Sequence, residues 1–205
     1  MLGEVARRAR KAQRRLWMKY ALRGVAGADN HQRLELAYNI EDPWNMDSEL
    51  ENTRFRATNA IIEEAFGRVG SLLELGCGEG HQTRWFTEVA DQVYGVDVSS
   101  KAVARAQQRA PRAEFASSDI FGQPWGDQRH RFDLVTACEV LYYPSDPGAT
   151  IERMRHLGKA GLVTCFVPSS GFRRVEPHLQ RVPGLRKDWI HAGSVAWLVG
   201  WWRDE

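Results

Sequence analysis

The chain has 205 residues, 43% of them hydrophobic, and a formal net charge of +2. That length fits one domain with an added segment, and the apolar content suffices for a sizeable core. No apolar run approaches the roughly 20 residues that span a bilayer, and charges interrupt every apolar stretch of residues 1–23, which argues against a secretory signal; a cytoplasmic location is expected. Cys77, Cys138 and Cys165 are scattered, odd in number and without metal-ligand spacing. Reduced thiols and no metal site are the expectation.

Residues 1–23 hold eight basic side chains (Arg7, Arg8, Arg10, Lys11, Arg14, Arg15, Lys19, Arg23) and one acid, Glu4, a net +7 that leaves −5 on the remainder. Leu2, Val5, Ala9, Ala12, Leu16 and Tyr20 recur at helical spacing, which predicts a basic amphipathic helix. It reads as a solvated helix docked on the body, a cap over an anionic substrate, or a contact with a membrane or polyanion surface. Residues 24–29 read as the helix end and a linker. Glu41 to Asn45 forms a loop carrying Trp44. Ser48 to Glu51 has capping-box spacing and opens a helix to about Phe66. Leu50, Ala57, Ile61 and Ala65 give its apolar face, and Phe55, Ile62 and Phe66 broaden it. Residues 1–66 are expected to form an N-terminal helical cap and residues 67–205 the core.

Leu72, Leu73 and Leu75 predict a buried parallel strand bounded by Gly70. Gly76, Gly78 and Gly80 follow at alternate positions and let the backbone turn sharply and approach a ligand. A helix over about 81–90 then points free N–H groups at that ligand. A dinucleotide fingerprint would need glycine where His81 stands. The pattern from Glu74 to Gly80, E-x-G-x-G-x-G, resembles motif I of the class I S-adenosylmethionine-dependent methyltransferases. The resemblance implies that the loop cradles the methionine end of this cofactor, with Glu74 near its amino group. His81 reads as a helix cap or a partner of the cofactor carboxylate. In small methyltransferases the segment ahead of the first strand commonly forms part of a lid. The resemblance thus makes Tyr38 and Trp44 candidates to touch substrate or cofactor; Trp44 reads equally as a hydrophobic plug.

Val93 to Asp97 predicts the second strand. Asp97 lies 23 residues after Glu74, close to the spacing at which a carboxylate takes both ribose hydroxyls. Ser99 or Ser100 caps a helix that runs to about Ala110 and stops at Pro111. Residues 113–116 form a short third strand. In the methyltransferase pattern Asp119 meets the adenine amine and Ile120 the ring face. Gln123 to Arg131 is a surface loop.

Phe132-Asp133-Leu134-Val135 and the small residue after it resemble motif IV of the same family. Glu139 ends that strand at the rim where ligands bind in open α/β sheets. Many small-molecule relatives have histidines where this chain has Tyr142 and Tyr143. The Glu139-Val140-Leu141-Tyr142-Tyr143 run, with Asp42-Pro43-Trp44, is similar to the nodulation-protein-S branch, which N-methylates a chitooligosaccharide. Residues 147–157 predict a helix and 162–167 a strand. Residues 173–181 predict a helix broken by Pro177. Residues 188–190 and 195–201 predict antiparallel strands around a turn at 192–194, the second apolar on both faces and so buried in the sheet.

The expected fold is α/β: a Rossmann-like, mostly parallel sheet with its last strand antiparallel, flanked by helices. The expected cofactor is S-adenosyl-L-methionine. The expected reaction is methyl transfer to an amino or hydroxyl group of a small molecule, with a sugar as the best guess. In-line transfer is mainly positioning, and Glu139, Tyr142, Tyr143, His81 and His191 are the candidate bases or orienting groups. Glu139 with Tyr142 is favoured. The tyrosine rings could attract a cationic sulfonium or ammonium, or simply form a wall. Two alternatives stand: RNA or protein methylation using the basic helix, and a cofactor-binding regulator without catalysis. The oligomeric state stays open.

Overall fold

A computed structural model describes residues 2–122 and 124–204, with side chains from residue 12 onward. The expected stripe at Leu2, Val5 and Ala9, the charges of Glu4, Arg7, Arg8, Arg10 and Lys11, and loop residue Gln123 lie outside the described residues.

Three helices lead the chain: α1 (Leu2–Ala21), α2 (His31–Ala37) and α3 (Glu49–Phe66). The sheet and its crossovers follow: β1 (Val69–Leu75), α4 (His81–Val89), β2 (Ala90–Asp97), α5 (Ser100–Arg109), β3 (Glu114–Ser117), β4 (Leu134–Cys138), α6 (Pro147–Leu157), β5 (Ala160–Phe166), α7 (Phe172–Leu179), β6 (Arg186–Ala192) and β7 (Val195–Arg203). The seven strands pair in the order β3-β2-β1-β4-β5-β7-β6. β3, β2, β1, β4 and β5 pair in parallel, and β7 runs antiparallel to both β5 and β6. The expected α/β sheet is therefore observed.

Two apolar layers cover the sheet. Ile61 and Ile62 of α3 and Phe86 and Val89 of α4 pack one face. Ile151, Met154 and Leu157 of α6 and Phe172, Val175 and Leu179 of α7 pack the other. Strands buried on both faces read as near-continuous apolar runs, which is why β1, β4 and β5 stood out.

Local details depart from expectation for physical reasons. Gly70 lies inside β1, because the Asp133 carboxylate accepts the Ser71 N–H at 2.9 Å and fastens the strand's start to the segment entering β4. α7 runs through Pro177 instead of breaking there. Buried Phe172, Val175 and Leu179 hold its face on the core. The buried face of α3 keeps Ile61, Phe55 and Ile62 of the expected face but not Leu50. It carries Arg54, Phe55, Thr58, Asn59, Ile61 and Ile62, while Leu50 is 41% exposed. The polar members are tolerated because they are bonded: Thr58 Oγ1 donates to Arg54 O at 2.8 Å, and Asn59 Nδ2 to Trp85 O at 2.8 Å.

No helix among the described residues is long and apolar enough to cross a membrane. The three cysteines are buried and free. Burial pushes the Cys138 thiol up to about 12 and raises Cys77 and Cys165 as well.

Gly161 of β5 pairs with Trp202 of β7, and a Cβ at Gly161 would overlap the indole ring. Gly161→Ala is expected to cost about 1–3 kcal/mol through overpacking, read as a lower midpoint in urea denaturation.

Candidate active site

β1 has β2 on one side and β4 on the other. At such a switch point the connections leave in opposite directions, and a crevice opens beyond the strand ends. A cavity of about 760 Å³ fills it. Glu74, Gly76, Gly78, Asp97, Asp119, Ile120, Glu139, Tyr142 and Tyr143 line this cavity, as do Tyr38 and Trp44 from the N-terminal segment. Residues spread over a hundred positions of sequence are thus gathered by strand ends and the loops beside them.

The glycine loop is built by left-handed backbone. Gly76, Gly78 and Gly80 have φ of 70°, 53° and 76°, a region glycine enters without a Cβ penalty. Gly78 donates its N–H to Asp97 Oδ2 at 2.9 Å, and a Cβ there would press on the Tyr38 hydroxyl at 2.8 Å. Gly80 does not line the cavity, contrary to expectation. It caps α4 without a side-chain bond, and a Cβ on it would crowd Ala106 Cα at 3.0 Å. Its bareness lets α4 and α5 approach.

Three carboxylates point their chemistry at this space, Glu74 and Asp97 buried and Glu139 half-buried. Asp97 ends β2 and also accepts Ser99 N–H at 2.9 Å on Oδ1. Burial lifts it to about 6, against the two backbone N–H bonds that lower it. Glu74 accepts the Thr83 hydroxyl, and burial pushes it up to about 8. Glu139 follows β4 at φ 63°, an uncommon conformation for a residue with a side chain. Burial raises its carboxyl to about 7, with Arg54 and the Thr164 and Tyr142 hydroxyls pulling the other way.

Glu139 is the hub of a small network. Thr164 Oγ1 donates to its Oε1 at 3.0 Å, and Tyr142 Oη to its Oε2 at 3.1 Å. Phe166 N–H lies 3.2 Å from Oε2 and also donates to the Tyr142 hydroxyl. Tyr142 is therefore an orienting donor and not a base: burial and the neighbouring carboxylate raise its hydroxyl far above the usual range. Tyr143 accepts from Trp44 Nε1 at 3.1 Å, and burial raises it to about 12. Tyr38 packs on Trp44 with ring centroids 4.9 Å apart.

Sequence reasoning passed over Arg54, which is 1% exposed. Its Nε donates to Glu51 at 2.8 Å, and its Nη1 to Gln82 Oε1 at 2.7 Å and Thr164 Oγ1 at 3.3 Å. Burial alone would lower the guanidinium, but the Glu51 and Glu139 carboxylates outweigh it and raise it. The signal was present: Arg54 stands at helical spacing between Leu50 and Ile61, where an apolar residue was due. Gln82 was also missed. It is 5% exposed, lines the cavity, and its Nε2 has no partner.

His81 does not cap α4, whose N-cap is Gly80; it lines the cavity with its ring between acids. Its ring lies 3.0 Å from Asp47 Oδ1 and 3.3 Å from Glu79 Oε2. Asp42, Glu79 and His81 bring donor atoms within 4.8 Å of one another, a geometry open to a cation. Internal partners already occupy Glu79: Arg105 Nη1 reaches its Oε1 at 2.5 Å, and Asp42 N–H its Oε2 at 2.9 Å. Burial raises the Glu79 carboxyl, and the bonds from His81 and Arg105 more than offset this, so the net direction is down. Asp119 is exposed and accepts Phe121 N–H at 2.9 Å and Gly122 N–H at 2.6 Å on one oxygen. His191 lies exposed on β6 and does not line the cavity.

Comparison with known proteins agrees with this geometry. A family model described as a methyltransferase domain matches residues 73–165. Nodulation protein S of Bradyrhizobium diazoefficiens is 29% identical over 118 residues, which is 58% of this chain and 56% of that protein. A ubiquinone biosynthesis O-methyltransferase of Rhodopseudomonas palustris is 34% identical over 90 residues, 43% of this chain and 35% of that protein. The chain thus spans little more than half the length of such relatives, or less. The crystal structure of N-methyltransferase NodS from Bradyrhizobium japonicum WM9 in complex with S-adenosyl-L-homocysteine superposes with a TM-score of 0.69 at 24% identity, over 86% of this chain and 98% of that one. This structural likeness carries the fold.

The raised carboxylates imply a pH dependence of the empty protein. A folded carboxyl raised above its unfolded value adds stability that is full below the unfolded value and lost as pH rises through the folded one. For Glu139 the window runs from 4.5 to about 7. Melting temperature should fall across that window, and Glu139→Gln should fall less, the difference being on the order of 2–3 kcal/mol. Thermal melts of both proteins at pH 5 and pH 8 measure it.

Proposed function

We propose that the chain, whose residues 73–165 match a methyltransferase-domain model, moves a methyl group from S-adenosyl-L-methionine to an amino group of a small molecule. The observation that carries the proposal is the sign of the cavity. Glu74, Asp97 and Glu139 are all held above their ordinary values by burial, with Arg54 beside two of them. Such a chamber favours cationic ligands, because a positive group restores the charged carboxylates it costs energy to bury.

The residues present fit the cofactor. The loop from Gly76 to Gly78 leaves no Cβ between backbone and ligand. Both oxygens of Asp97 retain lone pairs for ribose hydroxyls after accepting one N–H each. Asp119 and Ile120 would take the adenine. Glu74 would meet the methionine amino group. The unpartnered Gln82 amide and the Arg54 guanidinium are donors suited to its carboxylate. When bound, the cofactor supplies a methyl group made electrophilic by a sulfonium.

The chain's own work is positioning and proton handling. Thr164, Tyr142 and the Phe166 amide fix the Glu139 carboxylate, so that its remaining lone pairs face the cavity. A carboxylate near neutrality holds an acceptor ammonium and takes its proton before transfer. Tyr38, Trp44 and Tyr143 wall the acceptor side. A sugar or oligosaccharide amine is the finer reading. What supports it is the likeness to nodulation protein S and the aromatic wall, whose ring faces stack on the C–H faces of a sugar.

Calorimetric titration with S-adenosylhomocysteine tests the premise. Micromolar binding is expected, and Asp97→Ala should weaken it by about 1–3 kcal/mol through lost hydrogen bonds. No binding by the wild type would overturn the reading.

Turnover on amines and amino sugars tests the rest. Glu139→Gln should keep cofactor affinity and lose about 100-fold or more in kcat. The wild-type rate should rise with pH through about 7. An unchanged rate in Glu139→Gln would remove Glu139 from the chemistry.

A further inference from the structure

We propose that α1 is an interfacial helix that docks this protein on an anionic phospholipid surface, beside the mouth of the cavity. The inference goes beyond methyl transfer and stands on different residues.

Two of the strongly exposed large hydrophobics stand together on α1. Five large hydrophobics are strongly exposed among the described residues. Leu16 at 70% and Tyr20 at 59% stand on α1, one turn apart. Phe121 at 53% and Leu50 at 41% line the cavity. Trp189, on β6, is the remaining one. A lone exposed leucine is ordinary, whereas a cluster framed by one sign of charge marks an interaction surface.

The frame is basic. Lys19 lies three residues after Leu16 on α1 and so shares its face, and Arg23 stands in the turn just beyond the helix end. Arg15 adjoins Leu16. All three cations are exposed. Residues 1–23 carry +7 against −5 for the rest of the chain. An amphipathic helix with apolar residues between lysines and arginines lies in a bilayer interface, with apolar groups among the acyl chains and cations at anionic headgroups. The long basic stems add apolar contact of their own.

The helix is seated so that this face stays outward. Trp17 Nε1 donates to Ala37 O at 3.1 Å, and Arg33 Nη1 to Tyr20 O at 3.1 Å. Ala21 and Val25 are buried beneath. The chain leaving α1 joins the cavity rim: Gly27 N–H donates to Tyr142 O at 3.0 Å, and Ser145 N–H to Asp29 Oδ1 at 3.0 Å. Docking therefore sets the rim close to the lipid. A nucleic acid would use the charges and could stack a base on Tyr20, but would gain nothing from Leu16, whose 70% exposure favours a bilayer.

Co-sedimentation of the full chain with vesicles tests the proposal. One set is phosphatidylcholine alone, and the other is phosphatidylcholine with an equal share of phosphatidylglycerol. Partitioning should be at least about tenfold stronger on the anionic set and should fall as salt rises. Arg15→Gln, Lys19→Gln and Arg23→Gln together should lower it by about 100-fold, at roughly fivefold per charge. Leu16→Ser with Tyr20→Ser, at full positive charge, should lower it by about tenfold. Unchanged thermal melts certify that both variants fold.

Equal partitioning on the two sets, or none, overturns the inference. So does full vesicle binding by Leu16→Ser with Tyr20→Ser, which would make α1 a general polyanion contact. A light-scattering dimer dissolved by those two substitutions would show a second copy on this face, and would also overturn it. None of these readouts uses cofactor or turnover, so the methyltransferase reading stands or falls separately.

Discussion

One buried cation ties the active-site half of this molecule together. Arg54 comes from α3, its partner Gln82 from α4, and Thr164 from β5. Thr164 passes the contact on to Glu139 at the end of β4. Burying a guanidinium is costly unless its donors are met and an opposite charge stands close. Glu51 meets that demand at 2.8 Å, and Glu139 adds charge without direct contact. The cation in turn holds down carboxylates that burial would otherwise push higher still. The N-terminal segment therefore supplies the charge that the sheet's acids require, and the cavity is one electrostatic unit.

The three glycines of the loop do three different jobs. Gly76 turns the chain out of β1 in a place where a Cβ would overlap Val140. Gly78 presents its N–H to Asp97, which links the first and second strand ends. Gly80 lets two helices close up. Alternate spacing thus puts turn, ligand approach and helix packing in five residues. Substitution at each position would fail for a separate reason.

Much of this was legible in advance, because the strongest signals are periodic or local. Buried strands read as apolar runs, the loop as alternating glycines, and Asp97 as an acid at a strand's end. Glu139 was found from its place after Phe132 to Cys138. Arg54 and Gln82 were not, since their meaning lies in contacts 110 and 28 residues away in sequence. Gly80 was assigned to ligand by position in a motif, and His81 to a helix cap or the cofactor carboxylate, although a neighbouring helix claims the first and two acidic side chains the second. Tyr142 was left as a base or an orienting group because phenol can donate or accept; only the Phe166 amide and the Glu139 carboxylate fix it as a donor.

The N-terminal segment rests on the same logic of shared partners. Asp42 and Asn45 hold positive φ in the segment over the cavity, a conformation that persists where neighbours enforce it. Met46 N–H at 2.5 Å and Asp47 N–H at 3.3 Å bond the Asp42 carboxylate, and Asp42 N–H bonds Glu79. Glu79 belongs to the glycine loop, and its other oxygen takes Arg105 of α5. Trp44 reaches across to Tyr143 on the opposite rim. Any ligand that shifts the glycine loop therefore moves an atom on which the turn at Asp42 depends. Any ligand that spreads Trp44 from Tyr143 loosens the same segment from the other side. Glu79 and Trp44 thus tie the glycine loop, the turn at Asp42 and the Tyr143 side of the cavity to one another.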